Sequence, residues 1–208
     1  MSLKRAIVIF AALILAACDS PALTPSRSPD LFRDDFSQDI GLWETFDEPN
    51  AATQIADGRL AIAISAADTV AFSLAAINLT DFDLTVATSL TGGGFANGYG
   101  VIFRYIDNNN FYRFDISGDG LWGVSRRQDD RWISIVELEP SQAINTGPAL
   151  NTLRIVARGD DFVFYANGTE LGQVTDSNLP VGRIGLFAST FDDPNTQVSF
   201  DNLNIVQP

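Results

Sequence analysis

The chain has 208 residues, of which 46% are hydrophobic and 19% charged, and its formal net charge is -13. This composition is typical of one globular domain and excludes a disordered, collagen-like or multi-span membrane protein. The sequence contains no His, and its only Lys, Met and Cys lie within the first eighteen residues. Beyond that segment, sites that need imidazole, thiol or amine side chains are excluded, among them Ser-His-Asp triads, His-ligated zinc and Schiff-base lysines.

The first seventeen residues have the features of a bacterial signal peptide. Lys4 and Arg5 precede an apolar run at residues 6–15, which is too short for a bilayer-spanning helix of about 20 residues. The run ends in the sequence LAAC at residues 15–18, which resembles the lipobox of bacterial lipoproteins. That resemblance implies that Cys18 is lipidated and becomes the first mature residue. We therefore expect an extracytoplasmic protein that is anchored to the membrane through the lipid on Cys18.

Residues 18–30 are predicted to form the lipidated cysteine and a tether. Asp19 follows Cys18, which in lipoproteins of two-membrane bacteria resembles a signal for retention in the inner membrane. Three prolines, interspersed with Ser and Thr, favour an extended chain of about 3.1 Å per residue. The mature chain keeps 11 of the 13 basic residues and all 26 acidic ones, so its net charge is -15. Such a charge argues against binding of nucleic acid.

From residue 31 onward the hydrophobic pattern has period two, which predicts strands rather than helices. We expect about thirteen short strands and no amphipathic helix. The alternating apolar positions are Leu60, Ile62 and Ile64, Leu84 and Val86, Val101 and Phe103, Tyr112 and Phe114, Leu153 and Ile155, and Ile184 and Leu186. The dipeptides that favour tight turns are Asp57-Gly58, Asn97-Gly98, Asp119-Gly120 and Asn167-Gly168. No linker interrupts residues 31–208, so the sequence predicts one all-β domain, a two-sheet antiparallel β-sandwich of jelly-roll type.

Seven segments of this domain carry a resemblance to a known superfamily. They are Asp34-Asp35-Phe36-Ser37 with Trp43, Asp57-Gly58-Arg59-Leu60, Tyr99-Gly100-Val101-Ile102-Phe103-Arg104, Asn110-Phe111-Tyr112-Arg113-Phe114, Val163-Phe164-Tyr165-Ala166-Asn167-Gly168, Gly182-Arg183-Ile184-Gly185-Leu186 and Phe200-Asp201-Asn202-Leu203. In this order they resemble the concanavalin A-like lectin/glucanase superfamily, and more narrowly its family-16-glycosidase-like and keto-disaccharide-hydrolase-like domains. The resemblance implies a concanavalin A-like sandwich. Members include glycosidases, sugar-binding modules and domains of no known role.

The catalytic motif of that family is missing from this sequence. Family-16 glycosidases carry a Glu-x-Asp-x-x-Glu strand, whose spacing points its carboxylates to one face of the sheet. This chain has only five Glu, and its nearest approach is Glu137-Leu138-Glu139, which we interpret as a solvated strand end before Pro140. The resemblance therefore predicts the fold, whereas the missing motif argues against the family's catalysis.

Two glycine-containing strings resemble cofactor or metal motifs. Residues 118–123 match the dinucleotide-binding G-x-G-x-x-G string, but strands are predicted on both sides, whereas that fingerprint requires a following helix. Asp115 opens a string similar to an EF-hand loop, but its twelfth position is Arg126, where the loop requires Glu. Both strings are better interpreted as hairpin turns.

A structural calcium ion is the one cofactor that the resemblance suggests. Many sandwiches of the superfamily bind it where the first and last strands meet. The residues that stand at matching places are Asp34, Asp35, Asp57 and Asp201. Asp at strand ends is also ordinary turn chemistry, so the calcium site is a hypothesis.

Strand alternation supplies the candidate binding residues. If Val101, Phe103, Tyr112 and Phe114 point into the core, their neighbours point outward. The predicted outward set, continued onto the next two strands, is Arg104, Arg113, Asp115, Trp122, Arg126 and Trp132. Aromatic faces and planar Arg or carboxylate groups are what sugar recognition uses. The alternative is that both Trp are core residues and that the Arg-Asp pairs are cross-strand ion pairs.

The sequence thus favours a non-catalytic, lipid-anchored module that binds a glycan or a cell-envelope protein. Two alternatives stay open. One is a glycoside hydrolase with an Asp/Glu pair that the sequence does not identify, and the other is a purely structural envelope lipoprotein.

Overall fold

The structure is a computed structural model that describes residues 29–208. The predicted signal peptide, the lipidated Cys18 and nearly all of the tether lie outside the described residues and stay predictions. The described part contains fifteen strands, against the roughly thirteen expected, and in it no helix is long and apolar enough to cross a membrane.

The first eight strands are β1 (Asp30–Asp34), β2 (Phe46–Glu48), β3 (Ala51–Ala56), β4 (Arg59–Ile64), β5 (Val70–Leu79), β6 (Phe82–Gly92), β7 (Gly98–Asp107) and β8 (Asn110–Ser117). The remaining seven are β9 (Leu121–Gln128), β10 (Arg131–Pro140), β11 (Leu150–Arg158), β12 (Asp161–Ala166), β13 (Thr169–Thr175), β14 (Gly182–Ser189) and β15 (Thr196–Val206).

These strands form two antiparallel sheets that pack face to face. One sheet has nine strands in the order β13-β12-β11-β6-β15-β4-β3-β2, with β1 also paired to β15. The other has six strands in the order β10-β9-β8-β7-β14-β5. The predicted all-β sandwich of jelly-roll type is therefore confirmed.

The core lies between the sheets and is built from alternating residues of both. Every apolar position that the period-two pattern selected is buried. Aromatic rings meet across the interface, with ring centroids 5.0 Å apart for Phe114 and Phe164 and 5.3 Å apart for Phe103 and Phe162. Such pairs each contribute about 0.5–1.5 kcal/mol beyond the burial of their area. Burial and ring packing thus hold this domain together, since residues 29–208 contain no Cys.

Three of the four predicted turn dipeptides lie at hairpin tips. Asp57-Gly58 and Asn167-Gly168 both have two positive φ angles, as a tight two-residue hairpin requires, and Gly120 has a φ of 93° between β8 and β9. Asn97-Gly98 differs, because Asn97 is buried in the loop between β6 and β7. Its Nδ2 donates to the Asp193 carbonyl at 2.8 Å, so it links two loops at one end of the sandwich.

Candidate ligand-binding groove

A groove of about 460 Å³ lies on the outer face of the six-stranded sheet. We call it the outer-face groove. Strands β8, β9, β10 and β14 supply its floor and one side, and the loops before β5 and after β14 supply the other side. Its principal lining side chains are Arg113, Asp115, Ser125, Trp132, Leu138 and Phe191.

Glycines make the floor of this groove deep. Asp115 on β8 has Gly100 as its cross-strand partner on β7 and Gly123 as its partner on β9. A Cβ atom at Gly123 would lie 3.0 Å from Leu138 Cδ2, and one at Gly98 would lie 3.5 Å from Asp115 Oδ1. Because these positions carry no side chain, the Asp115 carboxylate stands at the bottom of a recess rather than on a flat sheet.

Arg113 and Asp115 form the polar centre of the groove. Arg113 Nε donates to both Asp115 oxygens at 3.1 and 3.2 Å, and Nη2 makes a further contact with Oδ1. The guanidinium carbon lies 5.0 Å from the Trp132 ring centroid and 4.4 Å from that of Phe187. Ion pairing and aromatic packing together hold both planar groups in one orientation. A rigid pair of this kind offers ordered donors and acceptors to hydroxyl groups.

Exposed apolar side chains surround that polar centre. Trp132 keeps 47% of its surface exposed, Leu138 keeps 54% and Phe191 keeps 48%. Trp132 and Leu138 come from β10, and Phe191 stands in the loop that follows β14. Exposed apolar rims around a few convergent polar groups are typical of small-molecule sites.

Two further carboxylates line the groove, and both are exposed. Asp68 lies in the loop before β5 and Glu137 lies on β10. Within residues 29–208 neither side chain forms an ion pair. The groove therefore contains three acidic groups and one Arg.

Comparison with known proteins finds likeness in structure but not in sequence. No protein-family model matches the chain, and no curated protein matches it. The carbohydrate-binding module CBM66 from Bacillus subtilis is similar with a TM-score of 0.62 and 21% identity, over 80% of this chain and 96% of that one. A protein of unknown function with a galectin-like fold, also from Bacillus subtilis, is similar with a TM-score of 0.66 and 10% identity, over 87% of this chain and 97% of that one. The catalytic domain of an endo-1,3-beta-glucanase (laminarinase) from Thermotoga petrophila RKU-1 is similar with a TM-score of 0.58 and 9% identity, over 87% of this chain and 98% of that one.

The chain has a concanavalin A-like fold. The predicted resemblance is confirmed at that level, and the similar structures include both sugar-binding modules and glycoside hydrolases. At such low identities the likeness extends to the fold alone, so the function has to be argued from the residues of the groove.

Of the six predicted binding residues, three meet in the groove of this concanavalin A-like sandwich. Arg113, Asp115 and Trp132 line it together, because β8, β9 and β10 are neighbours and the β9–β10 register is regular from Arg131 to Ser134. Arg104, Trp122 and Arg126 lie elsewhere, so the expectation that all six share one outer face was wrong.

Arg104 is buried between the sheets instead of facing outward. Its φ of 50° and the irregular register after Phe103 mark a bulge, which turns the side chain inward. The guanidinium donates to the carbonyls of Leu179 and Thr80 at 3.0 and 3.1 Å and also to Gly159. Burial lowers the pKa of Arg104, while nearby Tyr112 and acidic groups oppose that change. Arg104 thus ties three loops together at one end of the sandwich.

Trp122 and Arg126 point toward the core because of their register on β9. Trp122 pairs with Ile116 and Arg126 pairs with Tyr112, both of which face inward. Trp122 packs against Phe114, with ring centroids 6.4 Å apart. The prediction placed these two residues on the wrong face, because the sequence does not show which residues of β8 and β9 pair.

Arg126 instead belongs to a partly buried ion pair with Asp176, next to Tyr112. Burial raises the pKa of the Asp176 carboxyl, but hydrogen bonds from Tyr112 and Asn178 and the charge of Arg126 outweigh it, so the net pKa is lowered. Burial and the hydrogen bond to Asp176 raise the pKa of Tyr112 to about 12. This network therefore holds an ionised carboxylate at the edge of the sandwich. It contributes to the packing of the domain and does not line the groove.

The predicted calcium ligands are not gathered at one place. Both Asp34 oxygens are engaged, with Phe36 N at 2.8 Å and Trp43 Nε1 at 2.9 Å, and Asp35 accepts from Ser37 N. Asp57 lies at the tip of the β3–β4 hairpin and Asp201 lies on β15. Residues 29–208 contain no group of three or more acidic or other ligating side chains that could hold a metal ion. The calcium site remains a prediction, and both Asp34 carboxylate oxygens already accept hydrogen bonds.

Several groove residues were not predicted from the sequence. Ser125 is the cross-strand partner of Arg113 on the same face, and the sequence does not show that pairing. Glu137 and Leu138 are exposed as expected for a strand end, yet they also line the groove. Phe191 and Asp68 come from loops on the far side, and no local pattern in the sequence connects them to β8.

Proposed function

We propose that the protein is a non-catalytic carbohydrate-binding module whose site is the outer-face groove. The observation that supports this most directly is the arrangement of Arg113, Asp115 and Trp132, a fixed polar pair beside an exposed indole ring in a recess with a glycine floor. A pyranose presents one apolar face and several hydroxyls. The indole matches the first, and the guanidinium and carboxylate match the second.

A glycan array tests this proposal. The isolated domain, residues 29–208, should bind a restricted set of glycans, both with calcium and with EDTA in the buffer. Uniform failure to bind in either buffer would contradict the proposal and favour a structural role or an envelope-protein partner. Product analysis of the bound glycans distinguishes binding from catalysis.

The second candidate function is a glycoside hydrolase, and it rests on the three carboxylates of the groove. Glycosidases use two carboxyl groups about 5–9.5 Å apart on either side of the scissile bond. Asp115 is ion-paired with Arg113. This pairing suits Asp115 to accept hydrogen bonds from a ligand better than to donate a proton to it. Chain shortening of a bound glycan by the wild-type domain, abolished in Glu137→Gln, would establish the hydrolase and overturn the non-catalytic proposal.

We further propose that a lipid on Cys18 holds the module at the outer side of the cytoplasmic membrane. In a host with two membranes, this is the inner membrane. The support is the LAAC string after a short apolar run, followed by Asp19. The full-length protein should sediment with membranes and the Cys18→Ser variant should not. Equal membrane association of the two would contradict the anchor.

A further inference from the structure

We propose that the outer-face groove prefers oligosaccharides that carry free ammonium groups, such as glucosamine oligomers, over neutral and anionic glycans. This inference rests on the proposed function and names the ligand class of the same groove. It follows from which charges line the groove and from what each of them already contacts.

Among residues 29–208, Arg113 is the one cationic side chain that lines the groove. Arg127 lies beside it, 5.5 Å from the Trp132 ring centroid, and is paired with Asp130. Its Nε and Nη2 both bind the Asp115 carboxylate, and the side chains of this pair are 11% and 10% exposed. An anionic ligand would therefore have to compete with a carboxylate that is already seated against the guanidinium. The pair is neutral as a unit and gives the groove no positive field.

The two remaining charges are both negative, and they stand on opposite sides of the groove. Glu137 lies on β10, and Asp68 lies in the loop that leads into β5. Strands β10 and β5 are the two edges of the six-stranded sheet. A chain of sugars lying in the groove would thus have one free carboxylate on each side.

The chemistry of the ligand follows from this layout. A uronate or sulfated sugar placed between Asp68 and Glu137 would be repelled by both, and the acidic domain as a whole would slow its approach. An ammonium group would be attracted by both carboxylates, while the apolar face of the sugar still has Trp132 available. A neutral sugar would keep the contact with Trp132 and lack the attraction to the two carboxylates.

Calorimetric titration with three oligomers of equal length tests the proposal. The probes are glucosamine, N-acetylglucosamine and galacturonate oligomers, at a mildly acid pH where the amines are protonated. Affinity should fall in that order, and the preference for glucosamine should shrink as the salt concentration rises. In the double variant Asp68→Asn/Glu137→Gln, affinity for the glucosamine oligomer should fall about tenfold, while affinity for the N-acetylated one stays within about twofold.

A matched control separates the groove from general attraction between a polycation and an acidic protein. Glu48→Gln/Glu170→Gln removes the same charge from two exposed positions on the nine-stranded sheet and should leave the affinity for glucosamine oligomers nearly unchanged. An equal loss in both double variants, or no preference for glucosamine over its N-acetylated form, would overturn this inference. If neutral glycans still bind in that case, the proposed function stands. If no glycan of any class binds, the proposed function itself fails.

Discussion

Replacing Trp132 with alanine should lower the affinity of the domain for its glycan about thirtyfold, which corresponds to about 2 kcal/mol. Trp132 is nearly half exposed at the rim of the groove, so the part of its ring that Arg113, Arg127 and Phe111 leave uncovered offers an apolar surface that an alanine does not. The free energy of unfolding should fall by about 1 kcal/mol, because the ring packs edge-on against Phe111, with centroids 5.6 Å apart, but lies outside the core between the sheets. Calorimetric titration and urea unfolding of the same preparations measure the two effects.

The nine-stranded sheet offers a matched control for this variant. There Arg154 pairs with Asp83, with Nε–Oδ1 at 2.7 Å, and its guanidinium lies 5.0 Å from the Tyr165 ring centroid. The residue types thus resemble those of the groove, but they lie on the other sheet. Tyr165→Ala should leave glycan affinity unchanged. Equal losses in Trp132→Ala and Tyr165→Ala, or none in either, would remove the groove as the site.

Replacing Arg104 with alanine should destabilise the domain by about 4 kcal/mol. The side chain is buried and donates to three backbone carbonyls in three loops, so its loss leaves those carbonyls unpaired and opens a cavity beside Phe162. In urea unfolding, the midpoint should fall by about 2 M at an unchanged slope. Arg104→Lys should give a smaller loss, since one ammonium group reaches fewer of the three carbonyls.

Arg158→Ala is the control for that experiment, because Arg158 is an exposed arginine directly before Gly159. Its free energy of unfolding should lie within about 0.5 kcal/mol of wild type. Glycan affinity of folded Arg104→Lys should equal that of wild type, since Arg104 does not line the groove. A loss of glycan affinity at an unchanged free energy of unfolding would indicate that Arg104 belongs to the binding site, and it would contradict the structural role.

The fold could be predicted from the sequence because its signals are local. Alternation of apolar residues identifies strands, and dipeptides such as Asn167-Gly168 identify hairpins, whichever strands become neighbours. The same alternation correctly placed Arg113 and Asp115 outward on β8, since that strand is regular. Trp132 joined them because β10 continues the same sheet beside β9.

The errors came from information that alternation does not contain. At Arg104 a bulge reverses the direction of the side chain, and no residue before it signals the irregularity. On β9, one residue of register decides whether Trp122 and Arg126 face the core or the solvent, and register follows from pairing with β8. The far side of the groove depends on the loops that carry Asp68 and Phe191, which are distant from β8 in sequence and which only the three-dimensional structure connects to it.

The most direct test of the central claim is a crystal structure of residues 29–208 with the glycan that binds best on the array. We predict that the sugar lies in the outer-face groove, with one ring against Trp132 and hydroxyl or amino groups within hydrogen-bond distance of Arg113 or Asp115. A sugar bound on the nine-stranded sheet, or on the loops at either end with the groove empty, would contradict the account.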